Sequence, residues 1–136
     1  MRQKQSRWIR GSLLIDDTYN ANPESVKKSI DLTKNFNNKR TIFILGDMKE
    51  LGRYRKKFHQ EVGAYAKKQK VDLFIGFGDL TRFSADAFGK NGFFFNDKEQ
   101  MNEFLVNNIQ GKDLVILKGS RGMQMEHFIN AQRGDS

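Results

Sequence analysis

The stretch TIFILGDMKELG, residues 41–52, holds the pattern that decides the fold. It begins with the run Thr41–Leu45, in which four apolar side chains follow one another without a polar residue between them. Such a run is typical of a strand that helices cover on both faces. A polar loop bounded by Gly46 and Gly52 comes next, and residues with helical spacing follow it. The stretch therefore predicts one strand–loop–helix unit of a parallel sheet.

Short apolar runs and amphipathic stretches alternate on both sides of this unit. The runs predict four more strands, at Leu13–Ile15, Leu73–Ile75, Phe93–Phe95 and Leu114–Leu117. Helical spacing predicts a helix that begins at Pro23 with Asn22 as its N-cap, and further helices over Phe58–Gln69, Leu80–Phe88, Met101–Ile109 and Met123–Ala131. This alternation predicts a Rossmann-like three-layer αβα sandwich, with a mostly parallel sheet of about five to six strands.

Length and composition are those of one domain with a hydrophobic core of its own. The chain has 136 residues, no cysteine and two histidines. No segment approaches the ~20 apolar residues of a membrane span, and residues 1–10 lack the apolar run of a secretory signal. We therefore expect a cytoplasmic protein. We place its domain at residues 11–132, between a loose hinge segment, residues 1–10, and a loose tail, residues 133–136.

The formal net charge of +8 favours an anionic partner. The charge is scattered, and its densest piece, residues 53–57, is more often a solvated helix face than a binding site. We find neither an RNA-binding signature nor an array of stacking aromatics, and so expect no nucleic-acid partner. With no cysteine and two distant histidines, we also expect no metal site in the chain itself.

Four polar or glycine-rich segments follow predicted strands, at residues 16–25, 46–52, 76–79 and 118–122. Because ligands of open α/β sheets bind beyond the carboxyl ends of the strands, these segments predict one binding rim. The last of them, Lys118-Gly-Ser-Arg-Gly122, offers backbone N–H groups and two cations to a carboxylate or phosphate. The P-loop pattern G-x-x-x-x-G-K-[ST] is absent, so the sequence has no recognisable triphosphate-binding loop.

Each candidate residue also has a structural interpretation. Asn20 and Asn22 could present donor and acceptor groups to a ligand, or they could form a turn and a helix cap. Asp47 lies in a segment that could equally be an ordinary strand-to-helix connection. A lone histidine such as His59 is more often packed or hydrogen-bonded than catalytic. The residues by themselves leave these alternatives open.

Three longer motifs occur in order along the chain. The first is Asp17-x-Tyr-Asn-Ala-Asn-Pro-x-Ser25, and the second is Leu45-Gly-Asp-Met-x-Glu-Leu-Gly52, which His59 follows. The third is Lys118-Gly-Ser-Arg-Gly-Met-x-Met-Glu126. Together they resemble the Mur ligase family, and within it the ligases that add D-alanyl-D-alanine. The resemblance covers nearly the whole chain and implies the C-terminal domain of such a ligase.

The resemblance implies a nucleotide side of the site. Asp17 would contact the ribose of ATP, and Tyr19, Asn20 and Asn22 would lie around the nucleotide. Arg2 matches an arginine that family members place near the nucleotide, just after the hinge.

It also implies an acceptor side. Lys118, Ser120 and Arg121 would face D-alanyl-D-alanine or the forming bond. Asp47 and His59 would support the loop between the two sides.

The implied reaction is an ATP-dependent ligation. ATP would phosphorylate the terminal carboxylate of a UDP-N-acetylmuramoyl tripeptide, and the amine of D-alanyl-D-alanine would then displace phosphate. Mg²⁺ and cations would neutralise the transferring phosphoryl group. In the family, a first domain binds the UDP end, and a central domain carries the P-loop and the magnesium ligands. We expect these two domains as partners, and we expect the present chain alone to be inactive.

Two other functions remain open. The chain could be a stand-alone module that binds a nucleotide or another anion at the same rim. It could also be a basic protein associated with nucleic acid, which would show steep salt dependence of binding.

Overall fold

The computed structural model describes residues 4–17, 21–36 and 39–119. Six strands lie within these ranges: β1 (Lys4–Arg7), β2 (Leu13–Asp17), β3 (Thr41–Gly46), β4 (Leu73–Phe77), β5 (Gly92–Phe95) and β6 (Leu114–Lys118). The four helices are α1 (Pro23–Asp31), α2 (Arg55–Lys68), α3 (Thr81–Phe88) and α4 (Lys98–Asn108). Short 3₁₀ turns cover Ile9–Gly11, Leu32–Asn35 and Gly52–Tyr54.

The strands form one sheet in the order β1-β2-β6-β3-β4-β5. All neighbouring pairs are parallel except β1 with β2, which is antiparallel. The last described strand, β6, lies between β2 and β3 and is buried along its whole length. The predicted mostly parallel α/β sheet is therefore confirmed.

Two apolar cores lie on opposite faces of the sheet. Ile42 and Ile44 of β3 pack in the core that includes α4, whereas Phe43 and Leu45 pack in the core that includes α1, α2 and α3. Right-handed crossovers explain this division. The chain moves in one direction from β2 through β3 and β4 to β5, and α4 then carries it back across the other face to β6.

The five predicted strands are confirmed, and each extends by one or two residues at one end. The expectation of a loose N-terminal segment is wrong for Lys4–Arg7, which form the edge strand β1. The sequence of β1, KQSR, has no apolar side chain, and the strand is largely exposed. No hydrophobic pattern could therefore predict it. The predicted helix Met123–Ala131 and the predicted tail, residues 133–136, lie outside the described residues.

Close packing of α2 against α3 depends on Gly63. A Cβ added there would lie 2.1 Å from the backbone oxygen of Ser84 on α3. The same contact region carries a hydrogen bond of 2.6 Å from the Ser84 hydroxyl to the backbone oxygen of His59.

We predict that Gly63→Ala lowers the free energy of unfolding by about 1–3 kcal/mol, because overpacking outweighs the gain in helix propensity, which is at most about 1 kcal/mol. Urea unfolding of the 136-residue chain measures the difference. The control is Ala64→Gly at the neighbouring exposed position, for which propensity alone predicts a loss of about 1 kcal/mol. A Gly63→Ala variant as stable as the parent would show that the two helices are not tightly packed here.

Candidate functional site

The carboxyl ends of four adjacent strands form one rim. These strands are β2, β6, β3 and β4, and they are neighbours in the sheet. The register places Lys118 beside Asp17 on one side and beside Leu45 on the other. It also pairs Gly46 with Phe77, so the loops after β3 and β4 are adjacent. The four predicted segments therefore start at one edge of the sheet, as expected. That this edge binds a ligand stays a prediction.

A buried ion pair joins the first and third motifs. Lys118 Nζ lies 3.3 Å from Asp17 Oδ2, and the two side chains are 3% and 1% exposed. Asp17 Oδ2 also accepts a hydrogen bond of 2.5 Å from the hydroxyl of Ser29 on α1. The aspartate predicted for the nucleotide side and the lysine predicted for the acceptor side thus contact each other directly.

Removing two charges from water is costly, and the attraction within the pair offsets that cost only when the geometry and further hydrogen bonds are good. The Ser29 hydroxyl supplies one such bond to Asp17. Asp17 Oδ1, however, is buried and accepts no hydrogen bond from any residue in the described ranges. The carboxylate therefore keeps one acceptor atom that the described part of the domain does not use.

Asp47 connects the loop after β3 to the start of α3. Its Oδ1 accepts a hydrogen bond of 3.0 Å from the backbone N–H of Thr81. Gly78 makes this approach possible: it has φ +120°, and a Cβ there would lie 2.4 Å from the Asp47 carboxyl carbon. Burial raises the pKa of Asp47, and the backbone hydrogen bonds at Leu80 and Thr81 counteract the rise. The side chain acts as an N-cap for α3 from outside the helix.

His59 is fully buried on α2. Its Nδ1 lies 2.7 Å from the backbone oxygen of Arg55, and its Nε2 accepts a hydrogen bond of 3.1 Å from the backbone N–H of Met48. These partners require the proton on Nδ1 and a neutral ring. Burial lowers the pKa of His59, which agrees with this tautomer. The imidazole fixes the Gly46–Gly52 loop to α2 and does not reach solvent.

Asn22 is the N-cap of α1. Its Oδ1 accepts a hydrogen bond of 2.9 Å from the backbone N–H of Ser25, and the Ser25 hydroxyl accepts one of 3.0 Å from the backbone N–H of Asn22. This capping box confirms the structural interpretation of Asn22. Whether the residue also faces a nucleotide stays a prediction.

A cleft of about 330 Å³ opens beside these groups at the rim. Five of its lining residues are Asp47, Lys49, Glu50, Arg55 and Leu80. Carboxylates and cations therefore face the same space, as the recognition of a molecule with both an amine and a carboxylate would require.

Sequence reasoning missed two partners at the rim. Ser29 has a detectable signal, because it lies on the buried face of α1 beside Val26 and Ile30, where a polar side chain needs a partner. Thr81 has none, because its bond to Asp47 joins residues 34 positions apart. Five predicted site residues lie outside the described ranges: Arg2, Tyr19, Asn20, Ser120 and Arg121.

Within the ranges that the structure describes, no three His, Cys, Asp or Glu side chains lie close enough together to hold a metal ion. No helix in those ranges is long and apolar enough to cross a bilayer.

Residues 1–121 match the Mur ligase, glutamate ligase domain. The chain belongs to the Mur ligase family. It is 42% identical over 123 residues to the UDP-N-acetylmuramoyl-tripeptide–D-alanyl-D-alanine ligase of Haemophilus influenzae, covering 86% of this chain and 26% of that protein. The ligase of the same name from Bacillus subtilis is 33% identical over 135 residues, which are 95% of this chain and 30% of the relative.

Solved structures agree with this assignment. A MurF ligase from Thermotoga maritima in complex with ADP superposes with a TM-score of 0.75 at 27% identity, over 99% of this chain and 31% of that one. MurF from Acinetobacter baumannii gives a TM-score of 0.83 at 26% identity, over 98% and 30% of the two chains. The Mur ligase C-terminal domain fold is confirmed, and the chain spans less than a third of these relatives' length.

We predict that Lys118→Met lowers the free energy of unfolding of this Mur ligase domain by about 3–5 kcal/mol, because it leaves the Asp17 carboxylate buried without its cation. Asp17→Asn should also destabilise. The double variant should lose less free energy of unfolding than the sum of the two single losses, because either substitution alone already breaks the pair. Urea unfolding of all four proteins measures the coupling, and strictly additive losses would contradict a direct interaction.

The second prediction of this site concerns His59 and pH. Its pKa is lowered in the fold from the ordinary 6.5, so below about pH 6.5 the unfolded chain binds a proton that the folded chain excludes. Stability should therefore fall as the pH drops from 7.5 to 5.5, with a slope approaching about 1.4 kcal/mol per pH unit.

His59→Gln tests this assignment. It should be less stable than the parent at pH 7.5, because glutamine can offer an acceptor to the Met48 amide but has no donor at the position of Nδ1 for the Arg55 oxygen. Its stability should nevertheless depend less on pH in this window. Taking the difference between the two curves cancels the titration of Asp47. Parallel curves for parent and variant would assign the pH dependence to another group.

Proposed function

We propose that this chain is the C-terminal domain of an ATP-dependent ligase that joins D-alanyl-D-alanine to a UDP-N-acetylmuramoyl tripeptide in the cytoplasm. The amine of the dipeptide attacks an acyl phosphate that ATP has formed on the tripeptide. A carbon–nitrogen bond forms, the carbon–oxygen bond to phosphate breaks, and the amine gives up a proton. The relatives that bear this name support the proposal.

The observation that carries the proposal is the Asp17–Lys118 contact. The two residues come from the motifs assigned to the nucleotide and to the acceptor, and they lie 3.3 Å apart at the carboxyl ends of adjacent strands. A ligase must hold the acyl phosphate and the attacking amine in contact. A domain that places its nucleotide-side and acceptor-side residues in one ion pair is suited to that task.

On the nucleotide side, Asp17 Oδ1, which accepts no hydrogen bond from the described residues, is an acceptor suited to a ribose hydroxyl. Asp17 is 1% exposed within this domain, so we propose that its surroundings rearrange before a ribose hydroxyl reaches Oδ1. Arg2, Tyr19, Asn20 and Asn22 complete this side of the proposal.

On the acceptor side, Asp17 positions the ammonium group of Lys118, which with Ser120 and Arg121 would face the dipeptide and the charge that develops on the reacting carbonyl. Electrostatic stabilisation of this kind often contributes the largest part of catalysis. The neighbouring cleft has Lys49 and Arg55 for a carboxylate, and Asp47 and Glu50 for an ammonium group. Asp47 and His59 act by holding the cleft loop in place.

Magnesium is part of the proposed reaction, in which it would neutralise charge on the transferring phosphoryl group. We assign its ligands to another domain of the ligase, as the family resemblance implies. We also assign the nucleotide-binding loop and the UDP site to the partner domains.

A chimeric ligase tests the proposal. This chain would replace the matching 26% of the Haemophilus influenzae relative, and phosphate release would be measured with ATP, the UDP-linked tripeptide and D-alanyl-D-alanine. We predict release that requires the dipeptide, and a decrease of roughly 10²-fold in kcat/KM for Lys118→Ala. Lys90→Ala is the control. It removes the same charge from an exposed position in the turn before β5.

A folded chimera that hydrolyses ATP without regard to D-alanyl-D-alanine would refute the acceptor role. The alternative of a stand-alone anion-binding module predicts something else: the separate chain would bind ADP as tightly as the complete ligase does. Weak or absent binding by the separate chain, with activity in the chimera, supports the ligase.

A further inference from the structure

A second cavity lies at the opposite end of the sheet from the rim. It has a volume of about 460 Å³, and its lining includes Thr41, Asp72 and Phe36. Thr41 is the first residue of β3 and Asp47 follows its last, so the cavity and the rim are roughly 20 Å apart at the strand rise of about 3.3 Å per residue. A small ligand cannot span both places.

Four lysines line this cavity: Lys34, Lys39, Lys68 and Lys70. They come from the 3₁₀ turn after α1, the segment before β3, the last turn of α2 and the turn that follows it. Among the described lining residues, Asp72 is the only carboxylate, which gives them a net charge of +3. Cations that converge from separate elements on one concave space concentrate positive potential there.

The single lining carboxylate is already engaged. Asp72 Oδ2 accepts hydrogen bonds from the backbone N–H of Thr41 at 2.8 Å and from its hydroxyl at 3.2 Å. Lys34 pairs with Asp31 at 4.0 Å, whereas Lys39, Lys68 and Lys70 have no carboxylate partner in the described ranges. Three ammonium groups are thus available to an anion.

Helix electrostatics account for only part of this cluster. Lysines near a helix C-terminus stabilise its dipole, which explains Lys68 in the last turn of α2 and Lys34 at the end of the 3₁₀ turn. The dipole amounts to about half a negative charge, less than the +3 that surrounds the cavity. Lys39 lies outside any helix, and Lys70 lies two positions past the end of α2.

The backbone conformation of Lys70 is the strongest indication that the cavity has a function of its own. It has φ +67° and occupies the C′ position of a Schellman motif, in which Val71 N–H donates to Ala66 O at 3.1 Å and Lys70 N–H donates to Lys67 O at 3.0 Å. That position favours glycine, because any other side chain strains the backbone at a positive φ. The chain thus carries a long cation where glycine would be less strained, and that cation lines the cavity.

We propose that this cavity, the lysine pocket, binds a compact, multiply charged phosphate anion, such as a pyrophosphate group free in solution or carried by a nucleotide. Its volume lies within the usual range for small-ligand sites, roughly 300–1,000 Å³. Phe36 is one of the lining residues, and an aromatic side chain is suited to the base of a nucleotide. The site is independent of the ligase function proposed for the rim.

Binding of pyrophosphate to the full 136-residue chain at constant ionic strength tests the proposal, with calorimetry for affinity and backbone amide NMR shifts for location. We expect shifts at Thr33, Gln69 and Asp72, and about fivefold weaker binding for Lys39→Gln or Lys70→Gln, the effect of one close charge pair in solvent. Lys90→Gln, which removes a charge elsewhere, should bind as the parent does. No binding, or shifts confined to Met48 and Gly78 at the rim, would overturn the proposal.

Lys70→Gly separates a ligand role from a purely structural one. Because glycine suits the left-handed position, the variant should have an unchanged or higher Tm without the anion, yet it should bind pyrophosphate less tightly. Equal affinity for Lys70→Gly and parent would overturn the role of Lys70.

Comparing the affinity for ADP with that for pyrophosphate shows whether the pocket takes a nucleotide or a free phosphate chain. Amide shifts at the lysine pocket identify ADP bound there. Tighter binding of ADP at this end, lost in Phe36→Leu, assigns the pocket to a nucleotide. Equal affinities assign it to the phosphate chain alone. Either result supports an anion site at this end of the sheet.

Discussion

The position of β6 in the middle of the sheet is the constraint on which the rest of the site depends. Its side chains are buried on both faces, and it pairs in parallel with β2 on one side and β3 on the other. A shift in register by one residue would turn the apolar side chains of one face toward the other. The observed pairing brings Lys118, at the end of β6, beside Asp17, although the two residues are 101 positions apart.

Side-chain contacts tie the described part of the rim to three helices. Asp47 caps α3, His59 on α2 holds the amide of Met48, and Ser29 on α1 fixes the carboxylate of Asp17. Three of the residues that the family resemblance singles out thus have structural partners inside the domain. In the proposed ligase they position groups that act, and they need not touch the substrate to matter.

The sequence was sufficient for the fold wherever burial leaves an apolar pattern. The five buried or half-buried strands and the capped start of α1 were predicted for that reason, whereas β1 was not, because KQSR is polar and lies on the sheet edge. At the site, strand order was needed to place Lys118 next to Asp17, and no local pattern carries that order. The lysine pocket was equally hidden, since its cations lie up to 36 positions apart and meet only in the folded chain.

The central claim is that Asp17 and Lys118 act as one unit in ligation. A double-mutant cycle on kcat/KM for D-alanyl-D-alanine in the chimeric ligase, with Asp17→Asn, Lys118→Met and the double variant, tests it most directly. When two residues act as a unit, the double variant loses little more kcat/KM than the worse single variant. We predict this result for Asp17 and Lys118. Losses in kcat/KM that multiply, as for independent sites, would contradict the account.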